Sequence, residues 1–356
     1  EAGTATTTAD SNTAVGESSF ITNTTGAANT AVGGNSLALN TTASYNVAMG
    51  KNAMYANTTG ASNTGVGAYA LDANTTADHN TALGRDALTA NTTGAQNTSL
   101  GSNSMSVNTS GADNVAAGYA ALDANTTGDN NTAIGKSALT ANTTADNNTA
   151  VGMSAGAAVT TGVNNTLIGY QSGDAITTGY SNVFVGKGLA ADAVDAIGQL
   201  LVGKDLTAPG DNTFSLGQDS QGRVYNSYGS NASWTRDSDE RLKTNIQNAT
   251  LGLDFINDLR TVTFKWKPNN DLPNTFKAYS ETNVKDTSTV MHGMIAQEVK
   301  AALDTAGVST FGGWTESSDG CQSISQEMFI HPLIKAIQEL SAKLAAAEAR
   351  IDTLEG

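Results

Sequence analysis

Hydrophobic and polar residues alternate along the first half of the chain in a repeating five-residue unit. The unit reads Asn-Thr-Ala-Val-Gly at its first two occurrences and returns every 17 residues, with no insertion or deletion. Its eleven copies begin at Asn12, Asn29, Asn46, Asn63, Asn80, Asn97, Asn114, Asn131, Asn148, Asn165 and Asn182. The second residue is Thr or Val, the fourth is apolar and the fifth is always Gly. Since alternate residues of a strand share a face, the unit predicts a short β-strand that ends at a glycine turn.

A second pair of columns follows each unit at the same spacing. The apolar column is Phe20, Leu37, Met54, Leu71, Leu88, Met105, Leu122 and Leu139, and it then becomes Gly156, Gly173 and Ala190. The polar column is Asn23, Asn40, Asn57, Asn74, Asn91, Asn108, Asn125 and Asn142, each followed by Thr. Two short strands and two turns in 17 residues predict one coil of a β-solenoid, or β-roll. Stacking would join the apolar columns, including the fourth residues of the units, into a core and the Asn columns into hydrogen-bonded ladders.

The repeats predict a mainly β fold for most of the chain. Stacked strands lie about 4.8 Å apart, so the repeat array would form a rod of roughly 50 Å. We expect a shaft over residues 1–198, followed over 199–237 by degenerate capping coils and a neck, because the register loosens there. One coil encloses little apolar volume, so association of several chains along the rod is a natural way to bury the remaining surface.

The last third of the chain has a different pattern, with eleven of the 18 Lys and Arg residues in the last 119 positions. It predicts a small α+β domain over 238–356 that ends in a coiled-coil helix over 333–355. The seam of this helix follows a 4-3 spacing through Leu333, Ile337, Leu340, Leu344, Ala347, Ile351 and Leu354. Pro332 can begin the helix, because its missing N–H has no partner in a first turn.

Composition and charge narrow the classes of function. Only 14% of residues are charged and 6% aromatic, unlike an ordinary globular enzyme. The net charge of −15 disfavours binding to nucleic acid or anionic lipid, and no apolar run approaches the ~18 residues of a membrane span. Cys321 is the only cysteine, so we expect no intrachain disulfide and no cysteine-based metal site. We also expect no other metal site and no cofactor. Because the chain opens on Glu1 rather than Met, we expect a further segment upstream.

A charged segment at the change in composition carries candidate chemistry. It contains Ser238, Asp239, Arg241 and Lys243. A serine hydroxyl becomes a nucleophile when a base takes its proton, and a neutral, desolvated lysine can be that base. A helical or tightly turned backbone would let Ser238 and Lys243 meet. Alternatively Ser238 caps a helix that starts at Asp239, and the two interpretations are compatible because a helix start also presents amide donors to an oxyanion.

Four further segments accompany this Ser-Asp-x-Arg-x-Lys motif in order along the chain. They are the apolar segment around Leu253 and Ile256, the predicted strand 262–266, the segment 292–299 and the segment 333–340. Together these residues resemble the intramolecular chaperone domain of phage endosialidase tailspikes, tail fibres and neck appendages. The repeats over about 10–200 are similar to the β-roll heads of trimeric autotransporter adhesins and to the shafts of phage tail fibres, which use an Asn-(Ser/Thr)-x-(aliphatic)-Gly unit.

The resemblance implies autoproteolysis between Asp237 and Ser238. Ser238 would attack the carbonyl carbon of the peptide bond before it, with Lys243 as base, which makes the domain a single-turnover serine autopeptidase. Asp239, Arg241 and His292 are candidate supporting residues, although a lone histidine near a strand can equally serve packing. The resemblance also implies a homotrimer, which the seam residues alone do not specify.

The expected function is that of a structural and adhesive fibre of a virion. It would assemble in the host cytoplasm, attach to an upstream virion protein and bind a glycan or protein receptor on the host surface. One alternative is a glycan-degrading tailspike, which needs paired carboxylates in a cleft. Shaft acids such as Asp72, Asp78 and Asp123 shift between coils and are interpreted as solvated turn residues. A second alternative is an ice-binding solenoid that uses its ranked Thr pairs.

Overall fold

The computed structural model describes residues 2–3, 8–220, 222–228, 235–236, 238–276, 278–283 and 285–355. The chain divides into two compact units, Glu1–Asp239 and Glu240–Gly356, which we call the shaft unit and the C-terminal unit. Within the described part of the chain, no helix has both the length and the apolar character required to cross a membrane.

One sheet runs along the shaft unit, and its described strands pair in chain order. Strands β1–β10 have three residues each: Thr13–Val15, Thr30–Val32, Val47–Met49, Thr64–Val66, Thr81–Leu83, Thr98–Leu100, Val115–Ala117, Thr132–Ile134, Thr149–Val151 and Thr166–Ile168. The next five, β11–β15, are Val183–Lys187, Leu200–Lys204, Thr213–Gln218, Gly222–Ser227 and Thr235–Arg236. Strands β1–β12 pair in parallel at a 17-residue offset, as Thr13 does with Thr30. The predicted β-solenoid is confirmed.

Each described coil contains one strand, so the prediction of two strands per coil is wrong. The second apolar column lies instead on turn residues in the left-handed backbone region, with φ of 48° at Leu37 and 52° at Met54. This region costs a bulky residue roughly 1–2 kcal/mol. Both side chains are wholly buried, and burial of such a side chain contributes about 1.5–3 kcal/mol. Burial therefore outweighs the backbone strain.

The interior of a coil is small and is filled from the turn and from the middle of the strand. The turn column from Phe20 to Leu139 is buried, as predicted. The buried strand residue is the middle one, such as Ala48 or Ala133, and the residues on either side of it face outward. The fourth residue of the repeat was expected in the core, and this is wrong because period-2 alternation leaves only the third residue pointing inward.

The core changes its composition at the tenth strand. In β10, β11 and β12 the buried inward strand residue is large, as Leu167, Phe184 and Leu201. The turn position becomes Gly156 and then Gly173, where an added Cβ would lie 2.6 Å from Leu167 Cδ2. Large and small residues thus exchange places between strand and turn, which keeps the interior closely packed.

Buried asparagines form two ladders along the shaft, as predicted. Asn40 Nδ2 donates to Asn23 Oδ1 at 2.8 Å and to the carbonyl of Ala43 at 3.1 Å, and the same pattern repeats along this column as far as Asn125. In the other ladder the backbone N–H of Asn46 donates to Asn29 Oδ1 at 3.0 Å. These bonds satisfy polar groups that are closed off from water.

The glycine that ends each repeat unit is required by two independent constraints. Gly118, for example, has φ 145°, which L side chains rarely adopt. A Cβ at this position would lie 2.5 Å from the carbonyl carbon and oxygen of Gly135 in the next coil. The stacked backbones therefore leave no room for a side chain in this column.

The parallel stack ends by reversing direction. β13 still pairs in parallel with β12, but Leu200 lies opposite Phe214, so this coil is three residues shorter than the others. β14 then pairs antiparallel with β13, and β15 antiparallel with β14. Arg223 Nη1 donates to the carbonyl of Thr207 at 3.0 Å. An antiparallel hairpin covers the edge that a parallel stack would otherwise expose.

The C-terminal unit is a small α+β arrangement with a long final helix, as predicted. Its helices are α1 (Leu253–Asn257), α2 (Ala296–Thr305) and α3 (Ile330–Glu355). Its strands β16 (Val262–Phe264), β17 (Met291–Gly293), β18 (Trp314–Glu316) and β19 (Gln322–Ile324) form two antiparallel pairs. Short 3₁₀ helices occupy Glu240–Leu242, Asn269–Asp271 and Gln326–Phe329. The core consists of Leu251, Phe255, Val299, Ala302, Leu303 and Phe329.

Candidate functional site

The predicted nucleophile lies at the end of the shaft unit. Ser238 and Asp239 are exposed and are the last residues of that unit. The other side of the predicted scissile bond, Asp237, lies outside the described residues. An exposed position leaves the serine accessible to a neighbouring chain or to water.

The predicted base lies at the start of the C-terminal unit. A single 3₁₀ turn covers Glu240–Leu242, and the backbone N–H of Lys243 donates to the carbonyl of Glu240 at 3.0 Å. Arg241 lies within this turn, and its side chain and that of Lys243 are exposed. Exposure extends over all of 238–250, although Leu242 and Ile246 are large apolar residues. The motif thus lies in a surface segment that contains one 3₁₀ turn, and the apolar residues of this segment are exposed to solvent.

His292 lies elsewhere in the C-terminal unit, on β17 opposite Thr263. It lines a largely apolar cavity of about 790 Å³ together with Ile256, Leu259, Met294, Phe329 and Leu333. Residues 238–243 do not contribute to this lining. The structure therefore associates His292 with the packing around the first turn of α3, and its supporting role in cleavage stays a prediction.

A contact that the sequence did not predict joins the two ends of the C-terminal unit. Glu339, in the middle of α3, accepts a hydrogen bond from the backbone N–H of Leu253 at 2.8 Å. This hydrogen bond, together with nearby Lys335, lowers the pKa of Glu339 below its usual value. Gly252 makes the approach possible, because a Cβ there would lie 2.4 Å from a Glu339 carboxylate oxygen. The carboxylate thus caps the first turn of α1 and ties α3 to it.

The predicted coiled-coil seam is exposed along α3. Ile337 is 63% exposed and Leu344 58% exposed, and Leu333, Leu340, Ile351 and Leu354 are exposed as well. The face that packs within the unit is a different one, where Pro332 and Ala336 are buried. A helix that leaves a heptad stripe of Leu and Ile in water has the surface of an unassembled coiled coil.

The acidic residues of the shaft have structural surroundings. Asp78 Oδ1 accepts the backbone N–H of Ala61 at 2.6 Å, and Asp123 Oδ1 accepts the hydroxyl of Ser106 at 2.6 Å. Asp72 is half-buried; burial and the neighbouring Asp86 raise its pKa. Among the described residues, no group of three or more His, Cys, Asp or Glu side chains is arranged to hold a metal ion.

The Thr pairs of the repeat do not form one uniform surface. The first Thr of a pair donates its hydroxyl into the stack, as Thr41 Oγ1 does to the carbonyl of Thr58 at 3.1 Å. The second Thr, such as Thr42 or Thr93, is exposed. One hydroxyl of each Thr pair is thus already engaged in a hydrogen bond within the solenoid.

Comparison with known families gives one match, and it falls on the motif. Residues 238–308 match the family model described as the chaperone of endosialidase. The match begins at Ser238 and covers about a fifth of the chain, and we call these residues the chaperone segment. Searches of curated proteins and of solved structures each found no match.

The match and the fold together support the resemblance drawn from the sequence. The chain carries an endosialidase-type chaperone segment directly after a β-solenoid shaft built on a 17-residue repeat. Such a combination is similar to that of a tail fibre or tailspike with a C-terminal chaperone domain.

Proposed function

We propose that this chain is the subunit of a trimeric, adhesive virion fibre whose C-terminal part directs assembly and is then released by autoproteolysis. The shaft remains in the mature particle, where it joins an upstream virion protein to a glycan or protein receptor on the host surface. The observation that carries the proposal is the match of the chaperone segment, which starts at Ser238 where the shaft unit ends.

The cleavage step uses the residues of the motif. Ser238 Oγ attacks the carbonyl carbon of Asp237 while Lys243 takes the hydroxyl proton. The peptide bond breaks, the amine of Ser238 leaves with a proton, and Asp237 is left as an ester on the serine oxygen. Water then hydrolyses the ester and leaves a free carboxylate on Asp237 and the serine hydroxyl on the released domain.

Lys243 needs a shielded environment to act as a neutral base. Its side chain is exposed in the single chain. We propose that assembly of the trimer shields Lys243 from water and also buries the exposed apolar residues Leu242 and Ile246. Cleavage then follows assembly, which is the order a chaperone requires.

The experiment is an intact-mass measurement of the purified chain during incubation. The 36.2 kDa chain should split into fragments that correspond to residues 1–237 and 238–356. The variants Ser238→Ala and Lys243→Gln should stay whole, whereas the control variants Ser341→Ala and Lys265→Gln should split like the wild type. Wild-type protein that forms trimers yet stays whole would refute the cleavage step, as would a Ser238→Ala chain that splits at the same bond.

A further inference from the structure

The outward face of the shaft sheet carries an apolar strip that the single chain does not cover. It consists of the first and third residues of strands β1–β12 and we call it the strand strip. Its third-residue members are Val15, Val32, Met49, Val66, Leu83, Leu100, Ala117, Ile134, Val151, Ile168, Val185 and Val202. Its first-residue members are Thr or an aliphatic residue in every strand. Leu83 is 52% exposed and Ile134 42% exposed, and the other third residues are likewise not buried.

The strand strip carries no charge along its whole length, in a chain whose net charge is −15. The acidic residues of the repeat, such as Asp78, Asp123 and Asp129, lie outside the strands. Like charges repel at close approach, so two copies of this chain can come into contact along the strand strip but not along faces that carry these acids. The charge pattern therefore favours association between identical chains through this face.

The dimensions of the strand strip suit a partner of the same construction. Twelve strands spaced by about 4.8 Å give a length of about 53 Å, and a three-residue strand is about 10 Å wide. The area of the strip, taken as flat, is thus roughly 500 Å² per copy. This is at the upper end of what a soluble monomer leaves exposed and about two-thirds of the ~800 Å² per partner of a stable interface. A partner surface can match these side chains coil by coil along the whole strip only if it has the same rise per coil. A second copy of this chain has the same rise per coil.

We propose that the strand strip is the interface through which copies of this chain pack side by side along the shaft, in register, around a common axis. The number of copies, three, rests on the proposed function. A strip that is two side chains wide suits convergence of three copies, because each layer then brings six side chains together around the axis. Thr and aliphatic side chains from equivalent coils form this inter-chain core, whereas the core inside each coil is formed by the Ala and turn columns.

The first test places negative charge on the strand strip of the intact chain. Leu83→Glu with Ile134→Glu should lower the trimer fraction at least tenfold by native mass, because three carboxylates would meet near the axis in each of two coils. The matched control is Thr76→Glu with Thr127→Glu, seven residues earlier in the same two coils, where both side chains are exposed on another face. The control should remain trimeric. Equal trimer fractions and equal thermal stability for the two variants would overturn the inference while leaving the trimer of the proposed function intact.

A second test avoids any change of charge. Leu100→Cys and the control Thr93→Cys are placed separately in a Cys321→Ser chain, and trimers are treated with a short bismaleimide. Linked pairs of chains should form at least ten times more with Leu100→Cys. If verified trimers leave Leu100→Cys open to a monofunctional maleimide, or link equally at Thr93→Cys, the strand strip belongs to another occupant and the inference is wrong. A wild-type chain that stays monomeric would instead refute the proposed function.

Discussion

The shaft unit and the C-terminal unit solve the problem of stability in opposite ways. The shaft satisfies buried polar groups by repetition, since an Asn within a ladder, such as Asn40, is both donor and acceptor for its neighbours in adjacent coils. The C-terminal unit relies on a compact core of six buried apolar residues and on single long-range contacts such as that of Glu339 with Leu253. A repeated coil can pair with any other coil, whereas a unique contact has one partner. In the proposed function, the shaft therefore supplies the repeated structure and the C-terminal unit sets the alignment of the chains.

The two units also differ in what they leave uncovered. The shaft exposes an uncharged strand strip, and the C-terminal unit exposes the seam of α3. Identical coils allow chains to align with a slip of one or more coils, while a heptad seam of limited length favours a single alignment. If assembly begins at α3, the alignment of the chains is therefore fixed before their shafts associate.

The largest expected effect comes from charging the α3 seam. In the uncleavable Ser238→Ala chain, Leu344→Asp with Ile351→Asp should weaken trimer formation by at least about 3 kcal/mol, roughly a hundredfold in the association constant, because carboxylates would be buried in the seam. Native mass over a dilution series measures this effect. The control, Ala342→Asp with Ala349→Asp, has the same spacing and charge on another exposed face and should assemble like the parent. If both pairs assemble equally, the seam is not where assembly starts.

The next effect, confined to the shaft and no larger than that lower limit, is expected from a single methyl group. Gly118→Ala should destabilise the stack by about 3 kcal/mol, or roughly 6–12 °C in the melting temperature, because the Cβ would meet the Gly135 backbone and φ is 145°. Gly34→Ala is the matched control, since the nearest atom to its Cβ would be 3.9 Å away. Calorimetry should place the control within about 0.5 kcal/mol of the wild type. A tolerated Gly118→Ala would contradict the close stacking of coils.

The smallest effect is one of pH, and its sign differs between the two units. The pKa of Asp72 in the shaft is raised by burial and by Asp86, so its ionised form destabilises the fold at neutral pH and the loss is recovered as the pH falls. Asp72→Asn should therefore raise the free energy of unfolding of the shaft slightly at pH 7, by about 0.5 kcal/mol at most, and should have no such benefit at pH 3.

Glu339 has the opposite sign. Its pKa is lowered by the hydrogen bond from Leu253, so its contribution is present above the ordinary glutamate pKa of about 4.3 and is lost as the pH falls below that value. Glu339→Gln should lower the melting temperature of the C-terminal unit at pH 7, and this difference should shrink at pH 3. Melting curves of both variants at the two pH values test the contrast. A shift of the same sign for both would contradict it.

Much of the shaft could be predicted because eleven copies of the repeat place the same residue types in the same structural environment. The Asn ladders and the buried turn column follow from type and spacing alone. The assignment of the fourth residue to the core failed because both faces of the strand carry apolar or small residues, and the pattern does not say which face is inside. The second strand was predicted where Leu37 and Met54 adopt positive φ, a conformation that their residue types disfavour.

The C-terminal unit was less predictable because its sequence has no repeat that shows the same environment several times. The seam of α3 is periodic and was visible, but Glu339 and Leu253 are 86 residues apart and no local pattern links them. Ser238 and Lys243 were selected through resemblance, and both are exposed in the single chain. In the proposed function the site is completed only by assembly, so one chain by itself does not show which residues complete it.

The most direct test of the division of labour between the two units is refolding. The released shaft and the uncleavable Ser238→Ala chain are each unfolded in denaturant and diluted, and the native mass of each product is measured. We predict that the Ser238→Ala chain regains trimers, whereas the shaft alone yields monomers or misaligned aggregates. A shaft that returns by itself to the same trimer, with the same yield, would contradict the claim that the C-terminal unit holds the register.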